Sequence, residues 1–95
     1  MPQSNAHLTP AQQQRQQRRR MSLGAAIKTL REQRGLTQSQ LAAAVGVSTR
    51  GVIRIEKGVT SLTVDVLGRY ADALNVRPSE LLRLSEVWSE VDPKP

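Results

Sequence analysis

Cysteine is absent from this chain of 95 residues, and histidine, tyrosine and tryptophan occur once each. Without cysteine the chain can form neither a disulfide nor a thiolate metal site, and His7 stands apart from other metal-ligating residue types. Tyr70 and Trp88 are the only aromatic residues, and neither lies on a basic stripe, which disfavours a single-stranded RNA binder. We therefore expect no metal and no cofactor.

Long apolar runs are also missing, so the sequence predicts no membrane span and no signal peptide. No nucleophile and base, paired carboxylates or phosphate loop can be assembled from it, and we predict that it is not an enzyme. The formal net charge of +6 favours a polyanionic partner, although DNA, RNA and anionic membranes share that attraction. The expectation is one small cytoplasmic domain that gains stability by forming a homodimer.

Residues 37–58 predict two short helices joined by a tight turn. Thr37 and Gln40 have the spacing of a capping box, which begins the first helix. Gly46 is placed to end that helix in the left-handed conformation, and Ser48 is placed to cap the second helix. This arrangement is typical of a DNA-binding helix-turn-helix.

The second of these helices divides into two faces. Val52 and Ile55 fall on its inward face, and Gly58 is placed to end it. Its outward stripe consists of Thr49, Arg50, Ile53, Arg54 and Lys57. An arginine can donate two hydrogen bonds to the O6 and N7 atoms of guanine, so this face suits the major groove of DNA.

Three more helices are predicted around this pair. The first spans about residues 23–34, the fourth is capped by Thr63 and stopped by Asn75, and the fifth begins at Pro78. We expect their apolar faces to include Val64, Leu67, Ala71, Leu74, Leu81, Leu82, Leu84 and Trp88. The fifth helix carries more apolar surface than one small core needs, and we predict a dimer contact through Leu84, Trp88 and Val91. Alternatively, Trp88 folds back on its own core, or another protein covers the stripe.

Composition divides the chain into three parts. Residues 1–21 form a basic arm rich in glutamine and arginine that we predict to be disordered, residues 22–84 form the domain, and residues 85–95 form an acidic tail. Two alternatives concern the arm. Thr9 and Pro10 have the form of a helix start, which would extend the first helix backward, or Met21 is the natural start and the arm has no function.

Six sequence elements identify a family resemblance. They are Leu30-Arg31, Gly35-Leu36-Thr37-Gln38, Leu41-Ala42, Val45-Gly46-Val47-Ser48, Ile55-Glu56 with Gly58, and Ala71-Asp72-Ala73-Leu74-Asn75-Val76. With them the chain resembles the Cro/C1-type helix-turn-helix family of phage repressors and bacterial regulators. Leu62-Thr63 and the short last helix are also similar to small restriction-modification controller proteins and several antitoxins. The resemblance implies an all-α, compact five-helix bundle.

The resemblance also implies roles for individual residues. Thr49, Arg50 and Arg54 match positions that contact base edges. Thr37, Gln38 and Lys57 match positions that bind phosphates, and Arg18, Arg19 and Arg20 of the arm are expected to add phosphate contacts. Arg31 and Glu56 match the positions of an ion pair between the first helix and the end of the DNA-reading helix.

Two positions depart from the family pattern. Ile53 replaces what is more often a small polar residue, and we expect it to pack partly against the domain; the alternatives are contact with a thymine methyl group or no contact. Gly51 lies inside the DNA-reading helix, where glycine is unfavourable, which indicates close approach to DNA or to neighbouring backbone; the alternative is drift at a tolerant site.

The sequence as a whole predicts a regulator of transcription, a repressor or controller that binds double-stranded DNA as a dimer on a roughly palindromic operator. The alternative is a protein-binding module, an antitoxin or coactivator, for which DNA binding is secondary.

Overall fold

The computed structural model describes the backbone of residues 7–89 and the side chains of residues 7–86. Within that range the chain forms five α-helices and no β-strand. They are α1 (Pro10–Gln33), α2 (Gln38–Val45), α3 (Thr49–Glu56), α4 (Val64–Leu74) and α5 (Pro78–Ser89). The predicted all-α, five-helix architecture is confirmed.

Four of the helices begin at a hydroxyl side chain that caps the first turn. Thr9, Thr37, Ser48 and Thr63 each accept a hydrogen bond from the backbone amide three residues ahead. At Thr9 and Thr37 a glutamine side chain also accepts from the backbone amide of the capping residue, which completes a capping box. The three caps predicted for α2, α3 and α4 are confirmed.

Helices α2, α3 and α4 end at residues in the left-handed conformation. Gly46 has φ 86°, Gly58 has φ 75° and Asn75 has φ 60°. Beyond α3, the Val59 amide donates to the Arg54 carbonyl at 3.1 Å, while the Gly58 amide donates to the Ile55 carbonyl at 3.0 Å. These two bonds form a Schellman motif, which satisfies carbonyls that the end of a helix leaves unpaired.

The prediction of a disordered arm is wrong for residues 10–21. Helix α1 begins at Pro10 and continues to Gln33 without a break. The capping box at Thr9 and the proline in the first turn begin the helix, and its later turns pack against α3 and α5. Residues 1–6 of the predicted arm lie outside the described residues.

The core lies where α1, α2, α3, α4 and α5 meet. It consists of Ala26, Ile27, Leu30, Leu41, Ala42, Val45, Val52, Ile55, Tyr70, Ala71, Leu74 and Leu81. Val64, which we expected on the buried face of α4, is the first residue of that helix and is 83% exposed. Leu82 is likewise exposed, whereas Leu84 is half-buried against the core.

Helix α1 connects the two sides of the bundle. Its largest interface is with α5, and it also packs against α3, while α2 packs against α3 and α4. The helix-turn-helix pair is therefore supported from behind by α1 and α4.

Candidate nucleic-acid interface

The outer face of α3 presents two arginines one helical turn apart. Arg50 and Arg54 are exposed, as is Thr49 near the start of the helix. No hydrogen bond or ion pair holds either guanidinium group within the described part of the chain. On the opposite face Val52 and Ile55 are buried in the core. This anchors α3 while leaving both guanidinium groups available to a ligand.

Ile53 and Gly51 lie between these two faces. Ile53 is half-buried, as expected of partial packing. A Cβ atom on Gly51 would lie 3.2 Å from the Ser48 Oγ atom, and no backbone of another element lies within 4 Å of it. Within the described residues, the expected close approach of neighbouring backbone at Gly51 is therefore absent.

A hydrogen-bonded network ties the end of α3 to α1. The Arg31 Nε atom donates to Glu56 Oε2 at 2.6 Å, and Arg31 Nη2 donates to Glu56 Oε1 at 3.1 Å. The two side chains are only 10% and 3% exposed. The hydrogen bond to Glu56 raises the pKa of Arg31, although burial opposes it. The ion pair expected from the family resemblance is therefore present and bidentate.

Gln38 joins the same network from α2. Its Nε2 atom donates to Glu56 Oε1 at 3.0 Å, so one carboxylate links three helices. A side-chain amide has two N–H donors, and this contact uses one of them. The sequence did not indicate that Gln38, expected at a phosphate, also contacts Glu56.

The other residues expected at phosphates lie at helix ends. Thr37 is exposed, and its hydroxyl accepts from the Gln40 amide at 3.0 Å, which leaves the hydroxyl hydrogen free to donate. Lys57 is exposed at the C-cap of α3. The first amides of α2, beside Thr37, have the orientation that favours an anion.

The three arginines of the predicted arm have different surroundings. Arg19 is exposed, and Arg18 is half-buried. The Arg20 Nε atom donates to the Gly58 carbonyl at 3.3 Å, and its Nη2 atom donates to the Gln17 side chain. Arg20 therefore faces the residue that ends α3, which the sequence alone did not indicate.

Gly24 is a structural determinant of this interface that sequence reasoning missed. A Cβ atom at this position would lie 2.3 Å from the Ile55 carbonyl oxygen and 2.8 Å from that of Glu56. Only glycine allows α1 to approach the last turn of α3 so closely. In the sequence, the sign of this contact was a glycine inside a stretch of strong helix formers. Glycine is less favourable than alanine there by about 1 kcal/mol, which indicates that packing requires it.

A groove of about 250 Å³ lies between α1, the loop after α3, and the exposed sides of α4 and α5. Its lining includes Leu23, Leu62, Leu67, Val64 and Leu82, with Arg19 and Arg20 at one side. Of the predicted dimer contacts, Leu84 is half-buried and packs against the core. The Trp88 side chain and Val91 lie outside the described residues.

Neither a membrane-spanning helix nor a metal-binding cluster occurs among the described residues. No helix there is long and apolar enough to cross a membrane. No group of three or more histidine, cysteine, aspartate or glutamate side chains in that range is arranged to hold a metal ion.

Comparison with known proteins identifies similar sequences and structures. The family model described as "Helix-turn-helix" matches residues 27–81, more than half of the chain. An uncharacterized HTH-type transcriptional regulator of Mycobacterium tuberculosis is 38% identical over 65 residues, which are 68% of this chain and 25% of the relative. The HTH-type transcriptional regulator SutR of Escherichia coli is 44% identical over 54 residues, which are 57% of this chain and 30% of SutR. The chain thus spans between a quarter and a third of the length of these curated relatives.

Among solved structures, the clp gene regulator ClgR of Corynebacterium glutamicum has a TM-score of 0.74 and 26% identity. That match covers 77% of this chain and 78% of ClgR. The restriction-modification controller protein C.AhdI of Aeromonas hydrophila has a TM-score of 0.63 and 30% identity, covering 64% of this chain and 92% of C.AhdI.

Proposed function

The chain belongs to the helix-turn-helix family, and from that premise we propose that it regulates transcription by binding double-stranded DNA in a sequence-specific manner. The observation that carries the proposal is the pair of exposed arginines, Arg50 and Arg54, on a helix whose opposite face is buried. The relatives described as transcriptional regulators support the same function.

In the proposed complex α3 lies in the major groove. Arg50 and Arg54 each donate two hydrogen bonds to a guanine, and Thr49 contacts a neighbouring base edge. A bidentate contact of this kind discriminates against a wrong base by about 1 to 3 kcal/mol. The buried ion pair between Arg31 and Glu56 fixes the angle of α3.

Phosphate contacts complete the proposed half-site. The exposed hydroxyl of Thr37, the remaining N–H of Gln38 and the first amides of α2 bind one phosphate, and Lys57 binds another. Because phosphates are the same at every base pair, these contacts set the position of α3 without reading sequence. Arg19 adds a further charge on α1.

We propose that two copies bind a roughly palindromic operator in the cytoplasm and there repress or control transcription. Two α3 helices would then enter successive major grooves about 34 to 36 Å apart. Because Leu84 is half-buried against its own core, we propose that the self-contact lies at the groove beside Val64 and Leu82. Both of these side chains are exposed apolar groups, and a second copy of the same groove covers them through a two-fold axis.

The same groove also favours one alternative function. A different protein, rather than a second copy, would cover Val64 and Leu82 if the chain were an antitoxin or coactivator. DNA binding would then be secondary, and the chain would remain a monomer in isolation.

Selection of bound sequences from random duplexes, followed by footprinting, tests the proposal. We expect enrichment of a two-fold symmetric site containing guanines in each half. Arg50→Ala and Arg54→Ala should each lose about 5-fold to 150-fold in discrimination at one base pair of each half-site. Arg83→Ala removes an equally exposed arginine from α5 and should leave discrimination unchanged. Failure to enrich any sequence, or unchanged selectivity in both α3 variants, would contradict the function.

A further inference from the structure

The middle of α1 contacts the end of the DNA-reading helix at consecutive points. Gly24 lies against the Ile55 and Glu56 carbonyls, and the Met21 backbone lies where a Cβ on Gly58 would be, 2.7 Å from the Met21 Cα. The side chain of Arg20, the residue before Met21, reaches the Gly58 carbonyl. The segment Arg20–Gly24 therefore covers the turn that ends α3.

Arg20 is held in this orientation from its own helix. Its Nη2 atom donates to the Gln17 side chain, one turn before it, while Nε donates to Gly58 at 3.3 Å. A guanidinium group that makes both contacts is directed at the protein and is only half-exposed. Arg19, the next residue on the helix, is exposed instead.

The Gly58 carbonyl belongs to the turn that ends α3, so a contact with it constrains the angle of that helix. Gly58 belongs to the Schellman motif, since its amide donates to Ile55 and the next amide, of Val59, donates to Arg54. Arg54 is one of the two exposed arginines on the DNA-reading face. A constraint on this turn therefore acts on the same backbone that carries Arg54.

From these contacts we propose that Arg20 is a positioning residue: it fixes the end of α3 through the Gly58 carbonyl and does not bind a DNA phosphate. The effect of Arg20 on DNA recognition rests on the proposed function, but the contact between Arg20 and the Gly58 carbonyl does not require DNA. It assigns a role to the part of α1 that precedes the family match, which begins at residue 27.

The two roles predict different behaviour with salt. An arginine that binds a phosphate releases a counterion. Its loss therefore makes the negative slope of log K against log salt concentration less steep by about 0.9, and it weakens binding to all duplexes equally. A positioning arginine leaves that slope unchanged. Its loss instead lowers the ratio of operator binding to scrambled-duplex binding, because Arg54 is presented less accurately.

The test compares Arg20→Gln with Arg19→Gln, which removes the same charge from the adjacent exposed position. Binding of the selected operator and of a scrambled duplex is measured over a range of salt concentrations. We expect Arg20→Gln to keep the wild-type slope and to lose about 5-fold to 10-fold in the operator-to-scrambled ratio. Arg19→Gln should keep the ratio. A slope reduced by about 0.9 with an unchanged ratio in Arg20→Gln would overturn the proposal.

Gln17→Ala provides a variant that keeps every charge. It frees Arg20 from its orienting partner, so a positioning role predicts the same loss of ratio as in Arg20→Gln. A phosphate-binding role predicts no such loss, because the freed arginine can still reach DNA.

Hydrogen exchange without DNA separates this inference from the proposed function. In Arg20→Gln the amides of Gly58 and Val59 should exchange several-fold faster than in Arg19→Gln, while amides of α4 remain unchanged. Equal exchange in the two variants would overturn the positioning role. Faster exchange in a chain that binds no duplex would leave the contact established and would refute the DNA-binding function instead.

Discussion

Replacing Gly24 with alanine tests whether α1 and α3 are as close as the structure indicates. The new Cβ would lie 2.3 Å from the Ile55 carbonyl oxygen. Real Cβ atoms almost never approach another heavy atom to less than 3.0 Å, so this contact is about 0.7 Å too short. The second close atom is also backbone, the Glu56 carbonyl oxygen at 2.8 Å. Because neither neighbour is the end of a mobile side chain, the two helices must separate.

The expected magnitude follows from two opposing effects. Alanine is favoured over glycine inside a helix by about 1 kcal/mol. Overpacking a close contact costs about 1 to 3 kcal/mol, and the rigid backbone neighbours of Gly24 place this cost near 3. We therefore expect Gly24→Ala to lower the free energy of unfolding by about 2 kcal/mol.

Gly68 provides a matched control in α4. Nothing lies within 4 Å of the Cβ position that alanine would occupy there. Only the helix preference then operates, and Gly68→Ala should raise the free energy of unfolding by about 1 kcal/mol. The two chemically identical changes should thus act in opposite directions.

Thermal unfolding measured by circular dichroism separates the two variants. For a domain of this size, 1 kcal/mol corresponds to a Tm shift of about 4 to 8 °C. Gly24→Ala should therefore melt about 8 to 16 °C below the wild type, and Gly68→Ala about 4 to 8 °C above it. If Gly24→Ala stabilised the chain as much as Gly68→Ala does, the close approach of α1 to α3 would be refuted.

Three further perturbations test other features. Glu56→Ala leaves the Arg31 guanidinium buried and unpaired, so the free energy of unfolding measured in urea should fall by about 3 to 5 kcal/mol. Replacing both residues by leucine or methionine should recover much of that loss. A loss below about 0.5 kcal/mol for Glu56→Ala would mean that the pair is exposed. Burial, with a smaller contribution from the charge of Glu56, raises the pKa of Tyr70 above 10.0. The folded chain therefore holds the tyrosine proton to higher pH than the unfolded chain, and stability should fall as pH rises above about 10. Because the chain has one tyrosine, its ultraviolet titration reports this pKa directly, and a native midpoint equal to that in urea would contradict the shift. Polar replacement of both Val64 and Leu82 should shift sedimentation toward the monomer and weaken binding to a full operator; a double variant that stays a dimer would place the self-contact elsewhere.

The starts and ends of α2, α3 and α4 were predictable because they depend on residues a few positions apart. The capping box of Thr37 and Gln40 involves residues three positions apart, and its geometry is the one the sequence predicted. Gly46 ends α2 in the left-handed conformation as expected, and Asn75, predicted only to stop α4, adopts the same conformation. Few other residue types adopt it at so low a cost. The inward and outward faces of α3 followed in the same way from helical periodicity.

Composition was a poorer guide to the first part of the chain. The glutamines and arginines before Met21 resemble a disordered arm because they offer little apolar surface to bury. A local cap at Thr9 and continuity with a packed helix outweigh that tendency, so α1 extends back to Pro10. A helix already anchored at one end adds further turns without a new nucleation step.

Some contacts between distant residues were decided by the tertiary structure alone. Arg20 and Gly58 are 38 positions apart, and Gln38 and Glu56 are 18 apart, so no local pattern relates them. Periodicity assigned Val64 to the buried face of α4, but in the assembled bundle its side chain is 83% exposed. The sequence by itself determined where α2, α3 and α4 begin and end and which face of α3 is buried, because those properties arise within a turn or two of chain. How closely the helices approach, and therefore which arginine faces protein and which faces solvent, depends on packing between distant segments and was settled only by the assembled bundle.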